Sequence, residues 1–66
     1  MKLTVNGEQL EIEDNSSISN LLKKLDITAP RVAVEHNLEI VPKTMFNETT
    51  LAENDNIEIV SFVGGG

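Results

Sequence analysis

A change of hydrophobic period near Ser17 limits what this chain can fold into more than any other feature. Before it, Leu3 and Val5 alternate with Lys2 and Thr4, and Leu10 and Ile12 alternate with Gln9, Glu11 and Glu13. A period of two sends successive side chains to opposite faces, so each run reads as a strand with one apolar face. Between the runs, Asn6-Gly7 supplies the two positive-φ residues of a type I′ turn, whose twist matches that of the strands it joins. From Ser17 the period becomes helical, with Ile18, Leu21, Leu22 and Leu25 at i, i+3, i+4 and i+7. Ser16 or Ser17 is placed to cap this helix by accepting a backbone N–H bond, and Lys23 and Lys24 fall in its last turn, where positive charge suits the dipole.

After the break at Ala29-Pro30, the run Arg31-Val32-Ala33-Val34-Glu35-His36 reads as a buried strand. Asn37 offers a turn, and Ile40-Val41-Pro42 suits only a short edge strand, because proline lacks a ladder donor. Met45, Phe46 and Leu51 are expected to plug the base of the core from an irregular segment. Asn54-Asp55 marks a turn into a last strand, Asn56 to Phe62, with Ile57 and Ile59 facing one way and Val60 and Phe62 the other. The resulting order predicts an α+β fold, one mixed sheet of four to five strands packed on a single main helix. Residues 1–62 would form one domain, and residues 63–66 a flexible glycine tail.

Composition narrows the chemistry. A chain of 66 residues buries only about 60% of its unfolded surface, which leaves little room for an enclosed active site. There is no cysteine, which excludes disulfides, thiolate metal sites and cysteine nucleophiles. Five basic against eleven acidic residues give a net charge of −6, so nucleic acid and anionic membrane are poor partners and a basic protein face is a better one. The start, Met1 to Val5, lacks an apolar signal region and no run is long enough to span a bilayer, so a cytoplasmic location is expected. His36 is the only histidine; a metal there would need Glu35 or Glu39 as further ligands, and a solvated turn residue is the simpler expectation. Asp14 to Ser17 lacks the spacing of a calcium loop, and no GxxxxGK phosphate loop or Ser-His-Asp set is present.

What remains is the end of the sequence, Phe62-Val63-Gly64-Gly65-Gly66. Without Cβ atoms, glycines can thread a narrow channel where any side chain would collide. Fully extended, Val63 to Gly66 would reach roughly 13 Å beyond the strand. A Gly-rich end is equally compatible with a frayed terminus or a linker, and the residues alone leave the two readings level.

Together, the element order, the length and the glycine ending resemble the ubiquitin-like β-grasp sulfur carriers, and within them the thiamine-biosynthesis branch. Val5-Asn6-Gly7-Glu8 is similar to the first hairpin of that family, Asn37 with Ile40-Val41-Pro42-Lys43 to its middle segment, and Ile57-Glu58-Ile59-Val60 leading into Phe62-Val63-Gly64-Gly65-Gly66 to its close. The last block is the specific one. Asn54-Asp55 replaces a common Gly-Asp, and Phe46 stands where tryptophan is common. The resemblance implies a protein cosubstrate rather than an enzyme, monomeric when free and binding no cofactor or metal itself. A ThiF-type E1-like adenylyltransferase would use ATP and Mg to adenylate Gly66. A persulfide from a cysteine desulfurase or rhodanese-type donor would convert the adenylate to a thiocarboxylate, and a ThiG-type thiazole synthase would receive the sulfur. Gly64 and Gly65 would give the slim approach, and Val60, Phe62 and Val63, with Ala33 beside them, would dock partners on the sheet face away from the helix. The same resemblance admits a molybdopterin-synthase small subunit, a ubiquitin-like modifier or a β-grasp interaction module as alternatives.

Overall fold

A computed structural model describes residues 1–27 and 32–61. Five strands, β1 (Lys2–Val5), β2 (Glu8–Glu11), β3 (Val32–His36), β4 (Glu39–Val41) and β5 (Asn56–Ser61), accompany one helix, α1 (Ile18–Lys24), and a 3-10 turn at Lys43–Met45. They form a single sheet in the order β2-β1-β5-β3-β4. β5 lies in the middle, parallel to β1 and antiparallel to β3, so the sheet is mixed as expected.

The first hairpin follows from its turn. Asn6 and Gly7 adopt φ of 50° and 84°, and the register places Leu3 opposite Leu10 and Val5 opposite Glu8. Leu3 and Val5 are buried. They share one core with Ile18 and Leu21 of α1, Val32 and Val34 of β3, and Ile57 and Ile59 of β5, while Leu22 and Leu25 pack at its margin. The alternation in β5 holds: Ile57 and Ile59 point into the core and Val60 points out, 52% exposed.

Both ends of α1 are satisfied, although the helix is short. Ser17 caps it, its hydroxyl accepting from Asn20 N–H while the Asn20 side chain accepts from Ser17 N–H. The other early N–H groups look outside the helix: Ile18 donates to Thr49 C=O and Ser19 to Phe46 C=O. The irregular segment after β4 therefore closes the amino end that a seven-residue helix cannot serve itself. At the other end, Asp26 takes φ of 58°, and Ile27 N–H bonds to Leu22 C=O while Asp26 N–H bonds to Lys23 C=O, a Schellman closure built without glycine.

Two sequence expectations change here. Phe46 and Leu51 are buried, but Met45 is 42% exposed and does not plug the core. Met45 closes the 3-10 turn, where about three residues per turn set neighbours roughly 120° apart, so Met45 and Phe46 cannot share a face. The turn between β3 and β4 uses Leu38 as well as Asn37, at φ of 74° and 51°. The break at Ala29-Pro30, Arg31 at the expected start of β3, and the proposed boundary between residues 62 and 63 lie outside the described residues.

Candidate functional site

β5 delivers the chain to the candidate site. Of the residues singled out from sequence, Val60 lies within the described structure, and Phe62, Val63, Gly64, Gly65 and Gly66 lie outside it. Val60 sits on the sheet face away from the core, directly opposite Ala33 on β3. Two register positions along, on the same face, Glu58 faces Glu35, and Glu35 in turn faces Ile40 on β4. Ile40 is 74% exposed. This face therefore interleaves apolar side chains with carboxylates. Among the described residues no ion pair neutralises Glu35 or Glu58. Such a surface suits a partner with an apolar centre and basic groups around it.

The end of β5 is held by an arrangement that alternation gives no sign of. The β1–β5 ladder stops at Val5 opposite Ile57, where β1 turns away. Asn6 N–H still reaches Ile57 C=O at 2.9 Å. Beyond it the Asn6 carboxamide continues the ladder: Ile59 N–H donates to its Oδ1 at 2.7 Å and its Nδ2 donates to Ile59 C=O at 3.2 Å. The start of β5 is held on its other edge by one backbone and one side-chain bond from Asn37. There Asn37 N–H donates to Asn56 C=O, and Asn56 N–H donates to Asn37 Oδ1, both at 2.8 Å. The sequence marks Asn6 and Asn37 as turn residues, which they are, but carries no signal for their amides reaching a strand far along the chain.

His36 is not the solvated turn residue expected. It ends β3 with its side chain 22% exposed, and its Nε2 lies 2.6 Å from Asp55 Oδ2. Asp55 is buried and also accepts from Asn37 Nδ2 at 3.1 Å and from Ala52 N–H at 2.8 Å. Burial opposes ionisation of Asp55, but the bonds from His36, Asn37 and Ala52, aided by the charge of His36, outweigh it and hold its carboxyl below the ordinary carboxylate value. This cluster lies at the start of β5, opposite the end that leads to residue 62. Among the described residues no group of three or more His, Cys, Asp or Glu side chains is placed to hold a metal ion. No helix among them is long and apolar enough to cross a membrane.

Comparison with known proteins adds four findings. The model of the ThiS family matches residues 3–66. The sulfur carrier protein ThiS of Bacillus subtilis is 40% identical over 65 residues, covering 97% of this chain and 98% of that protein. A thiazole synthase of Paramagnetospirillum magneticum is 42% identical over 66 residues, and there the chain spans 20% of the relative's length. Among solved structures, the crystal structure of a thiamine biosynthesis protein (ThiS) from Geobacter metallireducens superposes with a TM-score of 0.86 at 35% identity, covering all of both chains. The fold is thus the ubiquitin-like β-grasp.

Proposed function

The chain belongs to the ThiS family, and from that premise we propose that it is a sulfur carrier of thiamine biosynthesis whose working group is the carboxylate of Gly66. The observation that carries the reading is the extent of the family match, which reaches from residue 3 in the first hairpin to residue 66, the last glycine.

The chemistry fits the residues. A free α-carboxylate has a pKa of ~3.5, so near neutrality it is an anion and a poor electrophile until activated. One carboxylate oxygen attacks the α-phosphorus of ATP on an E1-like partner, pyrophosphate leaves, and an acyl adenylate forms. A persulfide sulfur then attacks the acyl carbon and expels AMP. Cleavage of the resulting acyl disulfide by a thiol reductant leaves a thiocarboxylate, a softer nucleophile for thiazole assembly. This chain contributes no catalytic side chain to these steps. It supplies the carboxylate, a glycine approach at Gly64 and Gly65 that fits a narrow channel, and a docking face around Val60 to which Phe62 and Val63 are assigned as further contacts. The likeness to one segment of a thiazole synthase supports a ThiG-type enzyme as the acceptor.

The test is the intact mass of the untagged chain after incubation with a ThiF-type activating enzyme, ATP, magnesium and a persulfide donor. Replacement of one oxygen by sulfur, confined to the C-terminal peptide, is expected. An unchanged mass, with an enzyme that activates another carrier in the same mixture, would refute the reading.

A further inference from the structure

We infer that Asn6 is a positioning residue for the reaction at Gly66: its carboxamide holds β5 at Ile59, close before the segment that carries the reacting carboxylate. The inference rests on the sulfur-carrier reading above. Beyond Ile57, one edge of β5 faces no strand, because the first hairpin has already turned at Asn6 and Gly7. Asn6 fills that gap with the side-chain group most like a peptide. Its C=O accepts from Ile59 N–H and its NH2 donates to Ile59 C=O, so the strand meets the same donor and acceptor it would meet on a neighbouring chain. The turn conformation at Asn6, φ of 50°, aims the amide there.

On the other edge, β3 pairs as far as Val32 opposite Ser61. The Asn6 amide therefore holds Ile59 on one edge of β5, while β3 pairs with the strand through Ser61 on the other. Without the Asn6 amide, the segment from Ile59 onward is held by β3 alone and can swing about that edge. Docking through Val60 and its neighbours would persist, but the direction in which the tail leaves the docked domain would spread. A carboxylate that must meet the α-phosphate of ATP inside another protein loses rate when its approach is misdirected, even if binding is intact.

Asn37 is the internal control. It has the same residue type and nearly the same φ of 51°, and at the start of β5 its side-chain Oδ1 accepts from Asn56 N–H while its backbone N–H donates to Asn56 C=O and its Nδ2 to Asp55. Losing it loosens the fold without freeing the end that leads to the tail.

The experiment uses the full chain as Asn6→Gly and Asn37→Gly, with a ThiF-type activating enzyme, ATP and magnesium, and measures kcat and KM for carrier-dependent ATP–pyrophosphate exchange together with thermal melting. Glycine accepts positive φ at either position, so both turns survive. Both variants are expected to melt below the parent. Asn6→Gly is expected to lower kcat by about tenfold with KM within about twofold, while Asn37→Gly keeps both constants. Three results would overturn the inference: a parental kcat for Asn6→Gly, a loss confined to KM, or an equal kcat loss in Asn37→Gly, which would mean general loosening. A parent chain that is not activated, beside another carrier that is, would overturn the sulfur-carrier reading and this inference with it. An active parent with an unaffected Asn6→Gly would overturn this inference alone.

Discussion

Replacing Asp55 by asparagine removes a charge from a buried position and leaves its partners in place. Two carboxylate oxygens accept from three donors, His36 Nε2, Asn37 Nδ2 and Ala52 N–H. The amide keeps one acceptor oxygen and turns an NH2 toward groups that themselves donate, so at least one donor loses its partner. Bonds to a charged acceptor contribute ~1.5–3 kcal/mol each, but the three share two oxygens and are not additive, so a total loss of about 2–3 kcal/mol is expected. In a domain this small, each kcal/mol moves the melting temperature by about 4–8 °C, which puts the expected drop at roughly 10–20 °C at neutral pH. The pH dependence follows from the sign of the shift. The folded carboxyl titrates below its unfolded value, so its contribution is complete above an unfolded pKa of ~3.9 and is lost as the pH falls through the lowered folded value. Melting curves followed by circular dichroism from pH 7 into acid should therefore show parent and Asp55→Asn converging below about pH 4. A drop of less than ~3 °C at pH 7, or a gap that persists unchanged in strong acid, would refute this account of the cluster.

Two further substitutions probe separate features. Leu38 is 83% exposed at φ of 74°, so Leu38→Gly should raise stability by about 1 kcal/mol in urea unfolding, because the left-handed backbone strains a side chain that packs on little. Val60→Lys places a charged chain on the apolar part of the outer sheet face; KM for the activating enzyme should rise by about tenfold, roughly 1.4 kcal/mol, with little change in melting temperature. A large loss of stability with unchanged KM would show that Val60 serves the fold instead.

Much of the architecture is legible because periodicity reports burial directly. The alternation through Leu3, Val5, Ile57 and Ile59, and the helical stripe from Ile18 to Leu25, each describe one face against one core. Asn6-Gly7 fixes its turn through backbone conformation, which needs no distant partner. What pattern does not reveal depends on groups that meet only after folding. Asn6 and Asn37 look like turn residues because their second function, bonding to β5, involves chain far away in sequence. Asp55 reads as a surface turn residue until His36 and Asn37 arrive beside it. Met45 and Phe46 look equivalent in an apolar pair, and only the 3-10 turn separates them. Leu38 at positive φ runs against residue preference, so composition could not have suggested it. At the site, the outward direction of Val60 follows from alternation alone, whereas its acidic neighbours Glu35 and Glu58 depend on the register of β3 against β5.

The central place of β5 bears on when the carrier first becomes a carrier. The hairpin of β1 with β2 and the pair of β3 with β4 share no ladder; each joins the sheet through β5, the last strand in sequence. A growing chain that has not yet released Asn56 to Ser61 holds two separate half-sheets with open edges, and closing them requires contacts between residues as far apart as Thr4 and Asn56, a slow, nonlocal step. The segment that completes the domain is also the one that leads directly into the glycines. A partner that recognises the outer sheet face would therefore find that face only on molecules in which β5 has already joined the two halves.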